Sequence, residues 1–129
     1  MPDPRARAPA PAESAAIAET FLRAWVAGDM ASARALAHDD LHFRGPIAEW
    51  HRADDHLAGL RPVAAIVRRV DLRRTFVDGN DVVVVYDLVT DSPVGTARIA
   101  EWKTIRDGRI AEIRAFFDSQ PWRSAGFGA

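Results

Sequence analysis

From Glu13 onward, Ala16, Ile17, Thr20, Phe21, Ala24 and Trp25 recur at helical spacing, which predicts an amphipathic helix over Glu13 to Ala27. Gly28 suits its C-terminal stop, and Asp29 can cap a second helix from Met30 to Leu36. Leu41 to Arg44 alternates apolar and polar side chains as a short strand, ended by Gly45-Pro46. Asp54 to Leu60 is expected to be helical, with Pro62 interrupting it before Val63 to Val67. Val70 to Val77 is a strand. Three more follow: Asp81 to Val89, Val94 to Ile105, and Arg109 to Phe117. Asp78-Gly79-Asn80-Asp81 and Arg106-Asp107-Gly108 supply turns, and Ser92-Pro93 breaks the remaining connection. Helices first and a meander of strands afterwards specify an α+β fold, with helices packed on one face of a curved antiparallel sheet. Val82 to Val85 does not alternate, so that strand is expected to be covered on both faces.

Composition narrows the function. Seventeen basic and 18 acidic residues are interspersed for a net charge of −1, so neither nucleic acid nor an anionic membrane surface has electrostatic support. No cysteine is present, which removes disulfides, thiol nucleophiles and cysteine metal sites and fits a reducing cytoplasm. No stretch approaches transmembrane length, and the first residues lack the apolar core of a signal peptide. Residues 1–12, with four prolines, are expected to be a disordered tail, 13–122 the folded domain and 123–129 a C-terminal tail.

Two carboxylates lie on largely apolar strands. Asp87 shares a strand face with Val83, Val85 and Val89, where burial would raise its pKa and poise it for acid–base work; if the strand ends there, it is already wet. Glu101 depends on register, because a one-residue slip reverses the face. A two-residue Asp107-Gly108 turn sets Glu101 opposite Arg114 in a solvent ladder. A three-residue turn sets it opposite Ile113, on the side of Ala111, Ala115 and Phe117. His42 and Arg44 share one face of their strand, Leu41 and Phe43 the other, and either face could be the inner one. Trp25 and Leu22 lie on the inner stripe of the first helix. Trp50 sits on a loop that could cover a cavity mouth or pack inward. Asp118 suits a rim position, tying Arg123 or a backbone amide. Neither His38 with His42 nor His51 with His56 has convincing metal-ligand spacing, so no metal site is expected.

Phe21-Leu22-Arg23-Ala24-Trp25, Gly28-Asp29, Asp39-Asp40, Asp107-Gly108-Arg109-Ile110 and Phe116-Phe117-Asp118, in this order, resemble the nuclear transport factor 2-like superfamily and, within it, the SnoaL-like group. The resemblance spans roughly residues 13–122. It implies a cone: a strongly bent sheet wrapped around helices, with a deep apolar cavity, in a protein that is commonly a homodimer packed through the sheet. Relatives include ketosteroid isomerases, limonene-type epoxide hydrolases, polyketide cyclases and non-catalytic members. Asp87 matches a catalytic Asp of the epoxide hydrolases, but Val85 and Ala115 stand where their Arg and second Asp belong, which argues against epoxide opening by that mechanism. Glu101 matches the protonated acid of the ketosteroid isomerase oxyanion site. His42 and Arg44 match water-holding residues of the epoxide hydrolases. The isomerases' base and helix-one Tyr are unmatched, Tyr86 being the only tyrosine. The implied catalytic set is Asp87, Glu101 and His42. The implied binding set is Leu22, Trp25, Arg44, Trp50, Val85, Ile99, Ile113, Ala115 and Phe117. The expected chemistry is cofactor-independent proton transfer on a hydrophobic oxygenated molecule, and the alternative is a ligand-binding or dimerisation module without turnover.

Overall fold

The computed structural model describes residues 10–128. Two helices, α1 (Pro11–Val26) and α2 (Met30–Ala35), lead into the strands β1 (Ala37–Arg44) and β2 (Glu49–Trp50). Helix α3 (Ala53–Ile66) follows, then β3 (Val67–Asp78), β4 (Asp81–Thr90), β5 (Thr96–Arg106), β6 (Arg109–Phe116) and the short helix α4 (Gln120–Ser124). Proline at the start of α1 fits a position whose N–H would have no partner anyway. The Asp29 carboxylate accepts from the Ser32 amide and caps α2. Of the expected tails, residues 1–9 lie outside the described residues, Pro11 and Ala12 already belong to α1, and the C-terminal segment carries α4.

The six strands form one sheet in the order β2-β1-β6-β5-β4-β3. It is curved rather than closed. It is also mixed, not wholly antiparallel: β1 runs parallel to β6. Apolar–polar alternation is the same in both pairings, so side-chain pattern carries no information on strand direction. Bulges supply much of the bend, since an extra residue kinks and twists a strand. Arg68 and Arg73 are extra in β3 against β4. Ala111 is extra in β6 against β5, because Ile105 faces Ile110 while Thr104 faces Glu112.

The concave face packs on the helices. Phe21, Leu22 and Trp25 of α1 join Val82, Val84, Tyr86 and Leu88 of β4 in one core. Helix α3 continues through Pro62 instead of breaking there. A mid-helix proline costs about 3 kcal/mol or more. Leu57, buried in the core, and Leu60 and Val63, packed against it, offset that cost from the same helix.

Candidate functional site

Between α3, the concave sheet and the C-terminal segment lies a cavity of about 650 Å³. Trp25, Phe43, Trp50, Leu60, Val63, Leu88 and Ile99 are among its lining residues. Ala115, Phe117, Trp122 and Phe127 close the side nearest the C-terminus. Trp50 reaches this wall because Gly59 leaves room for it: a Cβ at Gly59 would lie 2.3 Å from the indole. That close approach explains a glycine inside a helix, where it is otherwise unfavourable. The polar groups of the lining include the Glu101 carboxylate and the Tyr86 hydroxyl. The buried indole nitrogen of Trp122, also in the lining, has no hydrogen-bond partner among the described residues.

Glu101 is 7% exposed and anchors a polar cluster at the cavity wall. Its Oε1 accepts a 2.7 Å hydrogen bond from Lys103 Nζ, and the Lys103 side chain is wholly buried. The ammonium also lies 5.6 Å from the centre of the Phe21 ring. Burial pushes the Tyr86 hydroxyl well above its usual pKa, and the charge and hydrogen bond of Glu101 push it further. His56 stacks 4.4 Å from the Phe43 ring, and its buried Nδ1 has no hydrogen-bond partner among the described residues. Desolvation, helped by the Lys103 charge, holds its pKa down to about 3. An ion pair this deep is costly to desolvate and persists only when both partners stay paired.

Glu101 turns inward with its β4 partner Val84, and the residue opposite it on β6 differs from both expected registers. The turn is the two-residue kind, with Asp107 and Gly108 both at positive φ and Arg106 opposite Arg109. The Ala111 bulge then shifts the pairing by one, so Glu101 lies opposite Ala115 and Lys103 opposite Ile113. Trp25, Trp50, Ile99, Ala115 and Phe117 stand with Glu101 around the cavity. Leu22 and Ile113 are core residues outside its lining.

Asp87 is elsewhere. The inner residues of β4 are Val82, Val84, Tyr86 and Leu88, so Asp87 and Val85 turn to the convex face. There Asp87 is held by Arg73 at 2.7 Å and Arg98 at 2.8 Å. Hydrogen bonds from Arg98 and then Arg73 outweigh burial and hold its pKa down to about 2, the reverse of the expected rise. His42 and Arg44 are also outside the cavity, because Leu41 and Phe43 take the inner face of β1. His42 hydrogen-bonds Glu49 at 2.7 Å, and Arg44 lies 3.5 Å from the same carboxylate. Asp118 accepts from the backbone amide of Gln120. Sequence reasoning missed Lys103, Tyr86 and His56. The parity of Lys103 with Glu101, and of Tyr86 with Val82, Val84 and Leu88, was the available signal. Nothing in the local pattern marked Phe127 and Gly128 as cavity residues.

A family model described as SnoaL-like domain matches residues 18–113, well over half of the chain. Similar solved structures include a protein from Kribbella flavida DSM 17836, 29% identical, covering 86% of this chain and 91% of that one with a TM-score of 0.79. An LEH-like epoxide hydrolase from M. tuberculosis is 23% identical over 91% of each chain, with a TM-score of 0.74. An NTF2-like protein from Cytophaga hutchinsonii ATCC 33406 is 17% identical, covering 85% of this chain and 94% of that one, with a TM-score of 0.74. No curated protein matches the chain.

Proposed function

The chain belongs to the SnoaL-like domain family, whose fold supports small-molecule-binding and enzyme-type domains, and from that premise we propose that its cavity binds a hydrophobic, oxygenated small molecule and catalyses proton transfer on it without a cofactor. The observation that carries this reading is a carboxylate, Glu101, in the wall of a cavity otherwise lined mainly by aromatic and aliphatic side chains. A site of that composition takes up apolar ligands and aims a few polar groups at them. Glu101 exchanges the proton with the substrate. Tyr86 and Lys103 hold the carboxylate in place and bear the charge change as it gains or loses a proton. Asp87 and His42 have no part in this mechanism, since neither lines the cavity. Isomerisation, cyclisation, dehydration and hydration all remain within the proposed chemistry.

The test must keep the fold intact. Glu101→Gln alone strands a buried ammonium, a loss on the order of 3–5 kcal/mol. The double variant Glu101→Gln/Lys103→Met removes both charges together and is expected to fold. Steroids, polyketides, terpene epoxides and phenols would be screened by thermal shift, and each binder followed for turnover and for solvent deuterium uptake. Wild type should convert at least one binder, and the folded double variant should bind it and convert it at least about a hundredfold more slowly. Equal rates in the two proteins would remove Glu101 from the chemistry. A second reading is a ligand-binding module without turnover, favoured by Oε1 of Glu101 being already engaged by Lys103. It predicts binding with no conversion by either protein. A cytoplasmic location belongs to the same proposal and rests on the absence of cysteine.

A further inference from the structure

The hairpin that carries Trp50 into the cavity has an outer side of different chemistry. Phe43 pairs with Trp50 and Arg44 with Glu49 in the antiparallel β1–β2 register. One step further along that register, His42 lies opposite His51. Side chains alternate faces along a strand, so with Phe43 and Trp50 turned inward, positions 42, 49 and 51 turn outward together. The two imidazoles stack with centroids 4.8 Å apart and ring planes within 10°. Glu49 Oε2 is 2.7 Å from His42 Nε2 and 3.9 Å from His51 Nε2. One ligand atom from each of the three residues falls within 4.8 Å of the others.

We propose that His42, Glu49 and His51 form a site for a divalent transition-metal ion of the zinc type. Two imidazole nitrogens and one carboxylate oxygen are the donors such an ion prefers, and three protein ligands leave a fourth position for water. Tetrahedral ligands at about 2.0–2.1 Å from the metal stand roughly 3.3 Å from one another. The cluster must therefore open its 2.7 Å His42–Glu49 contact and draw in the 3.9 Å His51–Glu49 one. Donor atoms that lie up to 4.8 Å apart must come closer by as much as about 1.5 Å, and one imidazole must rotate out of the stack so that both nitrogens aim at the ion. The side chains are 30%, 44% and 74% exposed for His42, Glu49 and His51, so among the described residues they have room for that adjustment. The set lacks the six or more oxygens that calcium takes, and the nitrogens are poor ligands for magnesium. Arg44 at 3.5 Å from Glu49 is the neighbouring cation the metal would face, and its side chain, 69% exposed, is free to turn outward. The inner side of the same hairpin, Phe43 and Trp50, lines the cavity, so an ion bound here braces one cavity wall.

Titration calorimetry of the full-length chain without any histidine tag, using Zn²⁺ and separately Mg²⁺, tests the site. One Zn²⁺ should bind per chain, with no saturable Mg²⁺ heat. His42→Ala and His51→Ala should each weaken Zn²⁺ by at least about tenfold. His38→Ala should leave it unchanged. These positions are surface ones, and unaltered melting of each variant confirms that the fold is intact. Absence of saturable Zn²⁺ binding overturns the proposal. So does binding that survives the His42→Ala/His51→Ala double variant, which would place the ion elsewhere.

Discussion

His56 shows how burial at a single residue couples this fold to pH. Its imidazole is 1% exposed, stacked against Phe43 and near Trp50, and its Nδ1 is unpartnered. Desolvation and then the Lys103 charge hold its pKa near 3, down from 6.5. The unfolded chain takes up a proton near pH 6.5 that the folded chain refuses until about pH 3. Stability is therefore complete above 6.5 and falls as the pH drops through that window, by up to about 1.4 kcal/mol per pH unit. Urea unfolding at pH 7 and pH 5 should show this loss in the wild type and a flatter dependence in His56→Phe. Equal slopes would mean that the imidazole does not stay neutral in the folded state. At pH 7 the same variant should be neutral or slightly stabilising, because the unpaired nitrogen disappears.

At the scale of elements, bulges decide which side chains meet across neighbouring strands. One of the two extra residues in β3 is Arg73, and its guanidinium reaches across to Asp87 on β4, while Arg98 approaches from β5. One carboxylate thus ties three strands on the convex face. Both arginines are more than half exposed, so solvent screens the pairing and holds its contribution to about 1 kcal/mol. Asp87→Asn should destabilise the protein by that amount at pH 7, measured by urea midpoint. The Asp87 pKa is lowered in the folded state to about 2, so the contribution is present above about pH 4 and lost as pH falls through 2. A variant at least as stable as wild type at pH 7 would show the ion pairs to be energetically idle. The Ala111 bulge matters for the cavity: it sets Ala115 and Ile113, in place of Arg114 and Glu112, opposite Glu101 and Lys103, whose inward direction follows from their pairing with Val84 and Val82 in the unbroken β4–β5 ladder.

For the whole molecule, the convex face is the sheet face that none of the described helices covers. Phe76, Trp102 and Phe116 are 51%, 39% and 58% exposed there, and Val83 and Val85 are half-buried beside them. Large aromatics grouped on one sheet face mark an association surface. We propose a homodimer packed through this face. Light scattering on the wild-type protein should give twice the chain mass, and Trp102→Glu/Phe116→Glu should give the monomer mass. A wild-type protein that remains monomeric at high concentration would leave the face without this role.

Much of this molecule was legible along the chain because the governing physics is local. Helical spacing in α1, the Asp29 cap, the turns at Gly79 and Gly108 and the apolar strands each depend on neighbours a few residues away. Those features were enough for the α+β class and for Trp25 on the inner stripe of α1, whereas Ile99, Ala115 and Phe117 were expected at the cavity only through the family resemblance. The direction of β1, the continuity of α3 through Pro62, and the packing of Phe127 depend on contacts between distant segments. Asp87 and Glu101 make the point most sharply. Both are acids on apolar strands, alike in local pattern, and one faces two arginines on the outside while the other faces a cavity. The difference arises from their opposite parity in the unbroken β4–β5 ladder, where Asp87 pairs with Arg98 and Glu101 with Val84, and from which face the helices cover. A period of two records that side chains alternate but not which set lies beneath the helices, so only the packed chain could make that choice.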